Sequence, residues 1–242
     1  CVFMLTNAEI KKIRSLREKK FRDEYGLFVV EGEKLVHEAL SSGFEVMEVY
    51  RVEDIGESVM AKISLTSSPS PVLAVVAKPD GGRGTASADV RQLPAGLSLA
   101  LDSVRDPGNL GTIIRVADWF AVETVFVSPD TVELYNPKVV QATMGSIFRV
   151  PVRECRIPDL CRAYKAEGRP VYGTLLDGSN IYEAELGCDG LIVMGNESNG
   201  ISSEVRRELT AGLLIPSFGR SGAESLNVGV ATALTLSEFR RR

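Results

Sequence analysis

The chain alternates between short apolar runs and stretches where apolar residues return every three or four positions. In the first third, the runs at 27–30, 46–50 and 72–76 predict strands. Helical spacing predicts one helix over about 8–20, capped by Asn7, and another over 33–42, closed by Gly43. After residue 96 the alternation becomes regular. Strand-like runs at 97–101, 124–127, 171–175, 191–194 and 213–215 are separated or followed by helical patterns near 109–120, 136–144, 157–167, 203–209 and 224–241. Strand–helix alternation of this kind predicts an α/β fold, a parallel sheet with helices on both faces. Between the two patterns lies KPDGGRGTASADVRQLPAG (78–96), rich in Gly, Pro, Ser and charge, which reads as a linker. The division is therefore 1–77, 78–96 and 97–242.

A parallel sheet of this type holds ligands beyond the carboxyl ends of its strands. That rule selects four loops, 102–109, 174–179, 195–200 and 216–225, all rich in small and polar residues. No G-x-G-x-x-G follows the first strand of this half and no Walker A sequence is present, which disfavours ordinary dinucleotide and P-loop sites.

Composition narrows the chemistry. Of 242 residues, 44% are hydrophobic and 25% charged, as in ordinary globular chains. No apolar run reaches the roughly 20 residues needed to span a bilayer. The stretch CVFMLTNAEIKKIR lacks the charged-then-apolar order of a signal peptide, so a cytoplasmic chain with no membrane partner is expected. Cys1, Cys155, Cys161 and Cys188 form no C-x-x-C pair, and His37, the only histidine, sits in a helical pattern as a surface residue. Neither a metal site nor a disulfide framework nor a Ser-His-Asp triad is expected. The net charge of −4 does not point to nucleic acid, which leaves the distribution of charge as the place to look. KKIRSLREKKFR (11–22) holds seven Lys and Arg against one Glu, and reads either as a solvated helix face or as a phosphate-contacting patch.

Three loops carry candidate chemistry. In DPGNLGTIIR (106–115), a helix starting near Asn109 places Leu110, Ile113, Ile114 and Ala117 on one apolar face. Asn109 stands at its N-cap position. Arg115 lies off the apolar face, among Gly111, Thr112 and Asp118, either as a surface ion pair or beside something large. In LIVMGNESNGIS a strand gives way to Gly195-Asn196-Glu197-Ser198-Asn199-Gly200, a turn that has no need of Glu197. In IPSFGRSGAESLNVGVATALTLSEF a glycine-rich loop leads to a helix near Ser225, with Ser225 and Asn227 flanking Leu226.

Taken in order, the three loops resemble the SpoU (TrmH-type) RNA 2′-O-ribose methyltransferases of the SPOUT superfamily. Asp106-Pro107-Gly108-Asn109 through Arg115 resembles the first motif of that family. Gly195 to Gly200 is similar to its G-x-E-x-x-G motif, and Ile215-Pro216-Ser217-Phe218-Gly219 with Ser225-Leu226-Asn227-Val228 to its third. Asn136-Pro137-Lys138 and Gly145-Ser146-Ile147-Phe148 also match. The resemblance covers about 97–240. More loosely it covers 1–77, where FVVEGEKLVHEAL resembles the family's small ribosomal-protein-like RNA-binding domain. Two departures stand out: a longer loop between Gly219 and Ser225, and Gly229 where a Ser or similar residue is usual.

The resemblance implies a deep trefoil knot in the C-terminal half, an exception to ordinary chain connectivity. It implies a homodimer through that half and S-adenosylmethionine (SAM) as cofactor, held by Thr174, Leu175, Gly195, Asn196, Gly200, Ile215, Pro216 and Leu226. The implied reaction is methyl transfer to a ribose 2′-hydroxyl of RNA, ribosomal rather than transfer RNA. Arg115 would stabilise the developing alkoxide, Glu197 would orient or pair with Arg115, and Asn109, Ser225 and Asn227 would shape the site. Lys11, Lys12, Arg14, Lys19 and Lys20 then become RNA contacts. The alternatives are a tRNA methyltransferase and a non-catalytic RNA-binding or ribosome-assembly protein on the same fold.

Overall fold

The computed structural model describes residues 5–79, 92–219 and 224–241. Most of the expected linker, residues 220–223 of the expected longer loop, Cys1 and Arg242 lie outside them. In chain order the elements are α1 (Asn7–Ser15), α2 (Lys19–Tyr25), β1 (Leu27–Glu31), α3 (Glu33–Leu40), β2 (Val46–Arg51), α4 (Val52–Ile55), α5 (Glu57–Ile63) and β3 (Val72–Ala77). There follow β4 (Leu97–Leu101), α6 (Pro107–Trp119), β5 (Val125–Val127), α7 (Pro137–Thr143), β6 (Val152–Glu154), α8 (Ile157–Ala166), β7 (Val171–Asn180), β8 (Gly190–Met194), α9 (Ser203–Arg206), β9 (Ala211–Leu214) and α10 (Val228–Arg241).

The elements form two compact units. The first joins residues 5–79 to a later segment, 133–149, which the sequence pattern places in the C-terminal half. Its three strands make an antiparallel sheet in the order β1-β3-β2. The side chains of β1 alternate between two cores. Val29 packs with Ile13, Leu16, Met60, Ile63 and Leu73 under α1 and α5. Phe28 packs against Tyr135, 4.7 Å between ring centroids, and the rings of Phe44 and Phe148 complete the cluster.

The single helix expected over 8–20 is two helices, and its cap is Thr6 rather than Asn7. Thr6 and Glu9 form a reciprocal capping box, which leaves Asn7 as the first helical residue. Arg22 stabilises the break after Leu16. Its guanidinium is buried and donates to the carbonyls of Leu16 (2.8 Å) and Arg17 (2.7 Å), and pairs with Glu133. One cation of the basic run is therefore structural.

The second unit contains residues 92–132 and 150–241. Its six strands are all parallel, in the order β6-β5-β4-β8-β7-β9. Strands β4 and β8 are buried at every position, as central strands covered on both faces must be. One face carries α8 and α9, through Leu160, Cys161, Tyr164 and Val205. Helix α6 buries Leu110, Ile113, Ile114 and Ala117 and packs with α10, whose Phe239 meets Tyr172 edge-on at 5.0 Å.

Several boundaries move. β7 runs on to Asn180, and β9 pairs with both its start and its end across an irregularity between Thr174 and Ser179. Close backbone approach there requires glycine, because a Cβ on Gly178 would lie 2.7 Å from the backbone of Gly212 and Leu213. Helix α9 is a single turn, and α10 starts at Val228 rather than near Ser225. Asn227 accepts from the N–H groups of Gly229 (2.9 Å) and Val230 (3.2 Å), a cap that sets this later start.

Candidate active site

The site grows from the ends of β4, β8 and β9. Asp106 caps α6 by accepting from the Asn109 N–H at 2.7 Å, and Pro107 occupies the first helical position. Asn109 is thus not the cap that the sequence suggests. It sits one turn inside the helix, because Asp with a following Pro is the better helix start, and its side-chain amide is released for other partners.

Those partners are the other two motifs. The Asn109 Nδ2 donates to Glu197 Oε1 at 3.1 Å, and the Asn109 Oδ1 accepts from Asn227 Nδ2 at 2.8 Å. Three loops far apart in sequence are closed into one hydrogen-bonded chain, Glu197–Asn109–Asn227. The Glu197 carboxylate also accepts from the backbone N–H of Asp106 at 3.3 Å and, at the long limit, from that of Arg105 at 3.5 Å. Partial burial opposes its ionisation. The Asn109 amide and the backbone N–H groups of Glu197, Asp106 and Arg105 outweigh that, and the carboxyl titrates below its ordinary value.

The 195–200 loop is closed on itself. Asn196 and Gly200 exchange backbone hydrogen bonds of 3.0 Å, and the Asn196 Oδ1 accepts from the N–H groups of Ser198 and Asn199, both at 3.0 Å. Gly195 must be glycine because a Cβ there would overlap the Gly200–Ile201 backbone. Behind the loop, buried Asp102 accepts from the Ser202 N–H at 2.7 Å and fixes the start of α9.

Beside this network lies a cleft of ≈ 910 Å³ within the second unit. Thr174, Leu175, Gly195, Asn196, Gly200, Ile215, Pro216 and Leu226 all line it, together with Glu197 and Ser225. Leu176, Asp177, Arg206 and Glu224 also line it and escaped the sequence reading, since each looks like an ordinary exposed loop or helix residue. The residues suit a cofactor such as SAM. Its volume is that of a small-molecule site, backbone and aliphatic groups offer a slot for a flat base, and the lining also holds Glu224 and the Asp177–Arg206 ion pair.

Arg115 is not drawn into this network. It is exposed on α6, and among the described residues it makes no hydrogen bond or ion pair, either with Glu197 or with Asp118. Six residues along a helix turn it about 240° from Asn109, onto the side that carries Trp119. Glu197 accepts instead from Asn109, from Asn196 and from backbone N–H groups, and the expected pairing of Glu197 with Arg115 is not formed within one chain.

The basic residues occupy the first unit. Lys11, Lys12 and Arg14 on α1 and Lys19 and Lys20 on α2 are exposed. Lys19 pairs with Asp23 at 2.6 Å, and Lys12 lies 5.1 Å from the Tyr25 ring. His37 is exposed on α3. Among the described residues no group of three potential metal ligands occurs, and no helix is long and apolar enough to cross a membrane. Burial pushes the thiols of Cys155 and Cys161 up to about 12, which makes them inert packing groups.

Comparison with known proteins agrees with this geometry. Residues 96–237 match the SpoU rRNA Methylase family, and residues 7–57 match an MRM3-like substrate binding domain. The chain is 32% identical to the 23S rRNA (guanosine(2553)-2′-O)-methyltransferase RlmP of Bacillus subtilis, over 97% of this chain and 96% of that protein. Among solved structures it resembles a TrmH-family protein from Porphyromonas gingivalis (39% identity, TM-score 0.87, 99% of both chains). It also resembles an AdoMet-bound rRNA methyltransferase from Sinorhizobium meliloti (32% identity, TM-score 0.86, 98% and 97% of the chains). With the family match spanning more than half of the chain and a full-length relative beside it, this protein belongs to the SpoU rRNA methylase family.

Proposed function

We propose that this protein transfers a methyl group from SAM to a ribose 2′-hydroxyl of ribosomal RNA. The observation that carries the reading is the closure of three motifs into the Glu197–Asn109–Asn227 chain beside a cofactor-sized cleft. Ribosomal RNA is supported by the activities for which the relatives are named and by the match of residues 7–57 to a substrate binding domain. When bound, SAM supplies an electrophilic methyl group on a sulfonium. The chain itself must hold the RNA oxygen in line with that carbon, and alignment of this kind is worth up to roughly 7–11 kcal/mol. Gly195, Gly200, Ile215 and Pro216 offer backbone to the cofactor; Glu197, Asn109 and Asn227 keep the loops in register; Ser225 stands at the cleft. Arg115 carries a planar fork with no lone pair to accept a proton. It suits electrostatic stabilisation of the oxygen as negative charge develops. We take the trefoil knot of the family to be present as well, in keeping with the backbone crowding at Gly178 and Gly195.

A homodimer through the second unit completes this reading. Leu226, Val230 and Leu234 recur every four residues and are exposed at 50%, 49% and 40%, and Trp119 is exposed at 85% on the same side of α6 as Arg115. Covering that face would bring Arg115, which lacks a partner in its own chain among the described residues, against a second copy. Light scattering should give twice the chain mass, and Leu234→Glu should halve it.

The direct experiment incubates the protein with methyl-labelled SAM and with undermodified rRNA and tRNA in parallel. Label should enter rRNA, and Arg115→Lys should lower kcat by about 10²-fold while SAM affinity holds, because one ammonium cannot reproduce the fork. Label confined to tRNA would reassign the substrate, and label in neither would leave an RNA-binding protein without turnover.

A further inference from the structure

The connection after β4 contains an uncommon backbone. Ser103 has φ of 64°, in the left-handed region that a residue with a Cβ seldom adopts. Left-handed serine persists only where its surroundings hold it. Here they do. The Ser103 N–H donates to Ser128 Oγ at 2.8 Å, and the Ser128 hydroxyl donates to Asp130 Oδ1 at 2.7 Å. The Ser103 hydroxyl donates to Asp130 Oδ2. Asp130 thus gathers both hydroxyls, which together hold its carboxyl below the usual range. The Arg105 guanidinium, 3.6 Å away, adds an exposed ion pair.

The conformation has a consequence in the site. The Ser103 carbonyl accepts from the Asn196 Nδ2 at 2.6 Å. Asn196 is the residue whose Oδ1 folds the 195–200 loop, whose Nδ2 also reaches Glu197 Oε2 at 3.3 Å, and which lines the cleft. Hydrogen bonds therefore run unbroken from the end of β5, through the end of β4, to the loop that carries Glu197.

We propose that Ser128 and Asp130 are positioning residues for the methyl-transfer site: they lock Ser103 in its left-handed form so that its carbonyl captures Asn196 and sets Glu197. The inference rests on the methyltransferase reading above. It predicts that the lock governs turnover rather than RNA affinity, since Ser128 and Asp130 act through Ser103 and Asn196 and are not among the cations assigned to RNA. It also predicts a specific rescue. Glycine adopts positive φ without steric cost, so a chain with glycine at 103 needs the lock less.

The test combines kinetics with a readout that does not depend on activity. Asp130→Ala should lower kcat by about tenfold or more, with KM for RNA within about twofold, as expected when site geometry loosens. Asp130→Asn, which drops the charge but keeps partners for both hydroxyls, should stay within about threefold of the parent. Adding Ser103→Gly to Asp130→Ala should recover at least threefold of the lost kcat. In nitrogen-edited NMR spectra, the Asn196 side-chain NH₂ should lose its distinct shift in Asp130→Ala and regain it in the double variant. Unchanged kcat in Asp130→Ala, or a double variant no better than Asp130→Ala, would overturn the proposal. If the parent protein transfers no methyl group, the Asn196 resonance still decides the lock, and only the methyltransferase reading falls.

Discussion

The Glu197 carboxylate accepts from Asn109, from backbone N–H groups before α6 and from Asn196, so its ionised form is built into the geometry of the loops. Its folded pKa lies below the ordinary value, which fixes the sign of its pH dependence. The stabilisation is fully present above the unfolded pKa of about 4.3 and is lost as pH falls through the lower, folded value. Glu197→Gln should lower kcat by roughly 10- to 100-fold, the cost of weakening charge-assisted hydrogen bonds worth about 1.5–3 kcal/mol. In urea unfolding, the variant should be less stable than the parent at pH 7, and the gap should narrow on acidification below about pH 4. A constant gap across that range would remove the carboxylate from the network. At this scale Glu197 was legible because a plain turn has no use for it. The role of Asn109 was less so. Asp106 and Asn109 are both good caps, and only the geometry of the Asp-Pro start shows which one is free to bridge loops. Ser103, Ser128 and Asp130 look like turn-formers of no special kind, because a backbone angle leaves no mark on residue type.

Among the elements, strands and helices of the second unit followed the apolar periodicity closely, since a doubly covered parallel sheet demands continuous apolar strands. The short pieces did not. Helices α4 and α5 and strand β6 are too brief for a period to emerge, and α1 and α2 share one amphipathic pattern although a turn held by buried Arg22 divides them. The membership of residues 133–149 in the first unit depends on contacts more than a hundred positions away, chiefly Arg22 with Glu133 and Phe28 with Tyr135, and no local pattern encodes it. The pair gives a direct check. Arg22 is 2% exposed, so Glu133→Ala leaves a buried cation without its carboxylate. The loss should be about 3 kcal/mol in denaturant unfolding, with no change in the cleft's affinity for SAM. A loss under about 0.5 kcal/mol, the usual scale of a surface substitution, would mean that the segment is not part of the first unit's fold.

For the whole molecule, an acidic total conceals a division of labour. The exposed cations of α1 and α2 lie in the unit matched to a substrate binding domain, while the cleft lies in the unit matched to the methylase family. Replacing Lys11, Lys12, Arg14 and Lys20 by alanine should weaken RNA binding. It should also flatten the plot of log K against log salt by about 0.7 per lost phosphate contact, leaving SAM affinity unchanged. A collapse of SAM affinity would make the patch structural. Family and reaction were legible because three motifs recur in order at strand ends. The exposed position of Arg115, without a hydrogen bond or ion pair among the described residues, was not legible, because motif and spacing do not say what a side chain on a helix surface will meet. The central claim concerns where the methyl group goes. A 2′-O-methyl removes the nucleophile that alkali uses to cleave the next phosphodiester. RNA labelled by this protein from methyl-labelled SAM should therefore yield its label in an alkali-resistant dinucleotide. Label released in mononucleotides would place the methyl on a base and contradict the account.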